Sequence, residues 1–210
     1  DYFKQEEEFE EKDENIEEVN EKEYFSGAEQ GFGYVDYDSD KSAMKDMFIK
    51  YINDFKRYKS DMKSVFDIGA ATGYFLGLAK DQSLTVSGVE ISHYATNIAI
   101  NKGIDVKQGI VEDIKAKNAY DIVTMWDVIE HMKNPRSGLK KVNEILKPNG
   151  LLAISTPDSG SLFSKIMSSK WHSFVPPEHL YYFNKKSLSI LLKENGFEIL
   201  KVKTINKRFT

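Results

Sequence analysis

Residues 65–73 read Val-Phe-Asp-Ile-Gly-Ala-Ala-Thr-Gly, and this stretch limits the fold more than any other. Val65, Phe66 and Ile68, interrupted only by Asp67, make the short apolar run of a strand buried in a parallel sheet. Gly69 and Gly73 then bracket three small residues, Ala70, Ala71 and Thr72. Glycine lets a chain turn sharply and lets a ligand approach the backbone closely. Helix-forming residues follow over 74–80. Strand, tight turn and helix together are the form of a nucleotide-binding crossover, with the ligand at the strand's carboxyl end.

The chain beyond this turn repeats the same alternation. Residues 84–90 read as a strand ending in Gly-Val-Glu, 94–101 as a helix and 104–108 as a short strand. Residues 120–126 are a clear apolar strand and 135–146 a helix. Lys147-Pro148-Asn149-Gly150 is a turn signal that stops this helix, and 151–156 is the next strand. Residues 185–194 are a helix ended by Asn195-Gly196, and 197–205 alternate weakly as a last strand. Alternating strands and helices predict an α/β fold, a doubly wound, mostly parallel Rossmann-like sheet with helices on both faces. Upstream, Met44, Met47, Phe48, Tyr51, Ile52, Phe55 and Tyr58 form one apolar stripe at steps of three and four. They predict a helix from Ser42 onwards, packed on the sheet, with Asp40 or Ser42 as its cap.

Charge divides the chain. Residues 1–23 hold 12 acidic and 3 basic side chains, against 33 and 29 in all 210 residues. Such density favours a solvated arm. The reading is an acidic arm and an aromatic, glycine-rich loop over 1–40, then one binding domain over 41–210. The body is left with 26 basic and 21 acidic residues, which is no nucleic-acid footprint. There is no cysteine, so disulfides and zinc–thiolate sites are excluded and a reducing, cytoplasmic setting is expected. No apolar run approaches the ~20 residues of a membrane span. The chain starts at Asp1 rather than methionine, as a fragment or a processed product does.

The ligand can be narrowed. A dinucleotide fingerprint starting at Gly69 needs glycine at 71 and glycine or alanine at 74, and the chain has Ala71 and Tyr74. Asp-x-Gly-x-x-x-Gly does fit. It resembles the first motif of the class I S-adenosylmethionine-dependent methyltransferases, an acidic residue followed by Gly-x-Gly-x-Gly, with Ala71 in place of the middle glycine. Glu90 ends the next strand 21 positions after Gly69. A carboxylate placed there accepts hydrogen bonds from ribose hydroxyls.

The resemblance implies more. Residues 108–113, Gln-Gly-Ile-Val-Glu-Asp, resemble the family stretch that holds adenine, with Ile110 in place of its usual acidic residue. Glu112 or Asp113 then supplies the side-chain contact, or merely caps a turn. Residues 125–131, Met-Trp-Asp-Val-Ile-Glu-His, resemble the segment where the methionine moiety meets the acceptor. Residues 171–183 lie in a long connection over 157–184, a lid in this reading, within which 161–167 form a helix. They strongly resemble the group that includes quinone-biosynthesis O-methyltransferases and sugar and natural-product methyltransferases.

The expected cofactor is therefore S-adenosylmethionine, held by Asp67, Gly69, Ala70, Ala71, Gly73, Glu90, Ile91, Val111, Glu112, Met125 and Trp126. The pinched bend beside Glu90 is expected to leave room for it, and Tyr34 and Tyr37 are pocket candidates. The expected acceptor is a small hydroxylated molecule such as a sugar or quinone precursor, with His131, His179 or His172 as base. The spacing of these histidines matches no compact metal motif, so no metal is expected, nor nucleic acid or membrane as partner. The family sheet has seven strands and six are visible here. Two rival readings stay open: a cofactor-binding regulatory domain without turnover, and a nucleotide-dependent oxidoreductase.

Overall fold

The computed structural model describes residues 43–176 and 178–205. The acidic arm, Tyr34, Tyr37 and both proposed caps lie outside that range. Helix α1, Lys45–Tyr58, starts behind Met44 with no side-chain cap bond. The crossovers follow as β1 Ser64–Ile68, α2 Tyr74–Lys80, β2 Thr85–Glu90, α3 His93–Asn101 and β3 Asp105–Gln108. After them come β4 Tyr120–Trp126, α4 Pro135–Ile145, β5 Leu146–Ser155, α5 Leu162–Met167 and α6 Lys185–Glu194. The five strands are all parallel, in the order β3-β2-β1-β4-β5. The chain reverses its direction of winding between β1 and β4, which is where open α/β sheets bind ligands.

Alternation along each strand builds two cores. Val65, Ile122, Leu151 and Ala153 pack with Phe48, Ile52 and Phe55 of α1 and Phe75, Leu76 and Ala79 of α2. Phe66, Ile68, Val123 and Met125 face the other way, against Leu139, Val142 and Ile145 of α4 and Leu188, Leu191 and Leu192 of α6. Side chains alternate across a strand, so burial on both faces explains why β1 and β4 read as near-continuous apolar runs.

Two expectations fail. Lys147-Pro148-Asn149-Gly150 does not separate α4 from the next strand. The helix ends at Ile145, Leu146 already pairs with Tyr120, and the ladder resumes at Leu151 opposite Ile122. The four residues are a bulge in β5, and Asn149 takes its left-handed position at φ 58°. Residues 197–205 are not a strand. Lys201 instead reaches Asp54 of α1 at 3.0 Å, and Lys203 reaches the same carboxylate at 3.6 Å. Their side chains tie this segment to a helix rather than to the edge of β5. Among the described residues the sheet therefore has five strands, not six.

Candidate active site

The turn after β1 is fixed by space and by backbone. Gly69 has φ 72°, and a Cβ there would stand 2.4 Å from Val128 Cγ2, so only glycine fits. The Gly69 and Ala70 N–H groups donate to the Val89 carbonyl at 2.9 and 3.1 Å, which pins the turn to β2. Ala71 is left-handed too, at φ 47°. Its N–H donates to Glu90 Oε2 at 2.8 Å, and the Ser92 N–H donates to Oε1 at 2.9 Å. Glu90 is therefore buried but anchored. Asp67, beside it, accepts the Thr124 hydroxyl at 2.6 Å. Burial, opposed by that bond and reinforced by the charge of Glu90, lifts the Asp67 pKa well above the usual carboxylate range.

Aromatic rings occupy the hollow at this turn. Phe48, Tyr74, Phe75 and Trp126 line it with Asp67, Gly69 and Ala70, leaving about 20 Å³. Phe48 lies 5.3 Å from Phe75 and 5.5 Å from Trp126, and Tyr51 stacks on Trp126 at 5.5 Å. The indole Nε1–H of Trp126 is buried without a partner among the described residues.

A second cluster lies just beyond β4. A short 3₁₀ turn, Ile129–His131, follows the strand. The N–H groups of Leu180 and Tyr181 donate to the Glu130 carbonyl at 2.9 and 3.1 Å, docking the 157–184 connection on this turn. Docking brings His131 and His179 together, ring centroids 4.6 Å apart and edge to face. Nδ1 of His131 donates to the Glu178 carbonyl at 2.9 Å, and Nδ1 of His179 to the Ser173 carbonyl at 2.8 Å. A carbonyl only accepts, so each ring carries its proton on Nδ1 and a lone pair on Nε2. Partial desolvation, opposed by the Glu178 carbonyl and reinforced by His179, lowers the His131 pKa.

Glu130 is 1% exposed, and neither carboxylate oxygen has a hydrogen-bond partner among the described residues. Burial pushes its pKa up to about 7. The nearby Thr156 hydroxyl and its own N–H, neither in full hydrogen-bonding geometry, offset only part of that. Thr156 Oγ1 and the Tyr182 hydroxyl are likewise buried and unpaired. Buried polar atoms are normally hydrogen-bonded, so this concentration marks a place built for a polar guest.

The chain matches a methyltransferase-domain family over residues 41–202. It belongs to the class I S-adenosylmethionine-dependent methyltransferases. An uncharacterised protein of Methanocaldococcus jannaschii is 26% identical over 173 residues, 74% of this chain and 82% of that protein. The mitochondrial ubiquinone biosynthesis O-methyltransferase of Schizosaccharomyces pombe is 30% identical over 103 residues, 45% of this chain and 38% of that protein. The chain thus spans well under half the length of that curated relative. In fold, it is similar to an S-adenosylmethionine-dependent methyltransferase of Archaeoglobus fulgidus, with TM-score 0.61 and 20% identity over 76% of this chain and 73% of that one.

S-adenosylmethionine is accordingly the cofactor of this methyltransferase, and its residues meet that group unevenly. The left-handed turn, the buried Glu90 and the unpaired Trp126 Nε1–H suit an adenosyl ligand. Among the described residues, rings fill the hollow expected to hold it. Small-molecule pockets run to roughly 300–1,000 Å³, so rings must shift before the cofactor fits. The Tyr74 side chain, at the place where a dinucleotide turn has a small residue, is one of those rings.

Asp67, Gly69, Ala70, Ala71, Gly73, Glu90 and Trp126 do converge on the methyltransferase turn. Ile91, next to Glu90, is 69% exposed. Val111 and Met125 bury their side chains in the α4-side core, so those side chains are structural. Glu112 is exposed. Asp113 accepts from the Ile110 N–H at 3.0 Å and so caps its own turn. The ring of His172 lies 6.0 Å from Phe163 and 6.2 Å from Trp171.

Sequence reading did not find Phe48 or Tyr51 as site residues, because a helical stripe does not say which strand end it covers. It also gave no role to Glu130, Thr156 or Tyr182. The Glu-His pair at 130–131 was the available signal.

Proposed function

We propose that this chain transfers a methyl group to a hydroxyl of a small molecule seated between the end of β4 and the 157–184 lid. The meeting of His131 and His179, edge to face at 4.6 Å beside the buried Glu130, carries this reading. The likeness to a ubiquinone biosynthesis O-methyltransferase supports a quinone precursor or a related hydroxylated metabolite as the acceptor.

S-adenosylmethionine, when bound, supplies a methyl made electrophilic by its sulfonium. The remaining work falls to the chain. The turn at 69–73 and Glu90 would hold the adenosyl ribose, with the Glu90 carboxylate accepting hydrogen bonds from its hydroxyls. Phe48, Tyr51, Phe75 and Trp126 exclude water, and the parallel pairing of β1 with β4 sets the cofactor turn and the histidine turn at the carboxyl ends of neighbouring strands, which supplies proximity. The acceptor hydroxyl gives up its proton at the Glu130–His131–His179 cluster. His131 carries a lone pair on Nε2, and its lowered pKa keeps the ring neutral near pH 7, as a base requires.

The test is a methyl-transfer assay over small-molecule, protein and RNA pools. Labelling of hydroxylated small molecules, cut at least ~100-fold in kcat by His131→Ala or His179→Ala, is expected from loss of acid–base assistance. Labelling of protein or RNA alone overturns the reading. Calorimetry with S-adenosylhomocysteine isolates the cofactor half of the site.

A further inference from the structure

We propose that Glu130, His131 and His179 form a binding site for a divalent transition-metal ion, held by one carboxylate oxygen and the two imidazole Nε2 atoms.

One ligating atom from each of the three residues lies within 4.8 Å of the others. Ligands of an ion at about 2.1 Å stand about 3.4 Å apart, so side-chain adjustments on the order of 1 Å close the set. Two further observations point to an ion rather than to a fortuitous cluster. The Glu130 carboxylate is 1% exposed, with neither oxygen hydrogen-bonded among the described residues, and a buried carboxylate without a partner is costly. A cation removes that cost. In addition, both histidines commit Nδ1 to a backbone carbonyl, at 2.9 and 2.8 Å. Metal-ligating histidines show this outer arrangement, because it fixes the tautomer and aims the other nitrogen's lone pair at the ion.

The ligand types select the ion. Two imidazoles and one carboxylate, with no thiolate in the chain, suit Zn²⁺, Fe²⁺ or Co²⁺ better than Mg²⁺ or Ca²⁺, which prefer oxygen throughout. Three protein ligands also leave a coordination position open. The unpaired Thr156 and Tyr182 hydroxyls belong to the same polar region. With the ion bound, His131 Nε2 would serve as a ligand instead of the base, and the ion would supply the stabilisation that lets an acceptor hydroxyl at the open position release its proton to water near neutral pH. The open position thus takes the acceptor oxygen. That role rests on the methyl-transfer reading, whereas the binding site itself does not. Sequence spacing argues against a metal at these histidines, because they match no compact ligand motif; His179 returns to His131 only through the fold of the long connection.

The whole chain, stripped with chelator, is titrated with Zn²⁺ by calorimetry and with Co²⁺ by visible absorption. One site per chain is expected, with Co²⁺ bands of low-symmetry coordination. Glu130→Gln and His179→Ala should each weaken binding at least ~10-fold, as loss of even an outer-shell partner does. His93→Ala should leave it unchanged. Circular dichroism and S-adenosylhomocysteine affinity report whether each variant folds, and His179→Ala, in the half-buried lid, keeps the test open if Glu130→Gln does not. No stoichiometric Zn²⁺ or Co²⁺ binding, or binding that both variants leave intact, overturns the site. Cofactor binding and methyl transfer by the chelated protein would overturn the ion's role at the acceptor oxygen while leaving the proposed function standing.

Discussion

The Glu90 carboxylate accepts the N–H of Ala71 at 2.8 Å, tying the end of β2 to the crest of the turn after β1. One side chain therefore stabilises the left-handed Ala71, at φ 47°, and is the acceptor that the proposed cofactor site assigns to the ribose hydroxyls. Glu90→Ala should weaken S-adenosylhomocysteine binding by roughly 1–3 kcal/mol, the range of a hydrogen bond to a charged group. It should also lower the melting temperature, because two backbone N–H groups lose a buried acceptor. Calorimetry and thermal melts read the two effects separately. A melting shift with unchanged affinity would assign Glu90 to the turn alone.

Gly69 and Val128 make the tightest restriction at the site. An alanine at 69 must adopt φ near 72° and stand 2.4 Å from Val128 Cγ2. The left-handed backbone and the overpacking together predict a loss of about 2–4 kcal/mol for Gly69→Ala in denaturant titration. Val128→Ala in the same chain should restore the steric part but not the backbone part. A double-mutant cycle should therefore show favourable coupling, and strict additivity would contradict the contact.

These residues also show what a sequence makes legible. β4, Tyr120–Trp126, and α6, Lys185–Glu194, have the bounds expected of them. An apolar run and an Asn195-Gly196 stop are local signals, complete without knowledge of any partner. Residues 197–205 failed because a strand exists only where an edge accepts it, and Lys201 and Lys203 found Asp54 instead. The turn at 69–73 and Glu90 were readable because glycine spacing and the crossover register fix both. The joining of His131 with His179 was not, because the course of a long connection depends on contacts such as Leu180 and Tyr181 to the Glu130 carbonyl. The filled hollow was equally hidden: a stripe of apolar residues shows that α1 packs, not that Phe48 lies over the cofactor turn.

Asp121 gives the fold a pH dependence away from the site. Burial alone would raise its pKa. The Lys63 N–H, the Lys147 ammonium and the Ser64 hydroxyl and N–H outweigh burial and hold it at about 2. The folded value lies below the unfolded value of about 3.9, so the stabilisation is full above pH ~4 and disappears as pH falls towards 2. The difference corresponds to about 2–3 kcal/mol. Asp121→Asn should lose about that much at pH 7 and nearly nothing at pH 2, read from urea titrations at both values. A loss independent of pH would mean that packing rather than charge is at stake.

Phe48 is the ring most directly opposed to cofactor binding. It is 3% exposed, touches Phe75 and Trp126, and helps reduce the hollow to about 20 Å³. A ligand stabilises only the conformation it can occupy, and its apparent affinity falls with the population of that conformation. If binding must first displace this ring, removing it lowers the barrier and the displacement cost together. Phe48→Ala should therefore bind S-adenosylhomocysteine faster, while losing about 3–5 kcal/mol of stability as a buried aromatic truncation. Trp126 offers the readout, because its stacking on Tyr51 at 5.5 Å should be disturbed when the ligand enters, changing its emission. Stopped-flow traces on wild type should show a ligand-independent step that limits the rate, and Phe48→Ala should shorten or abolish it. Slower association in the truncated protein would mean instead that Phe48 grips the cofactor, and that another part of α1 gives way.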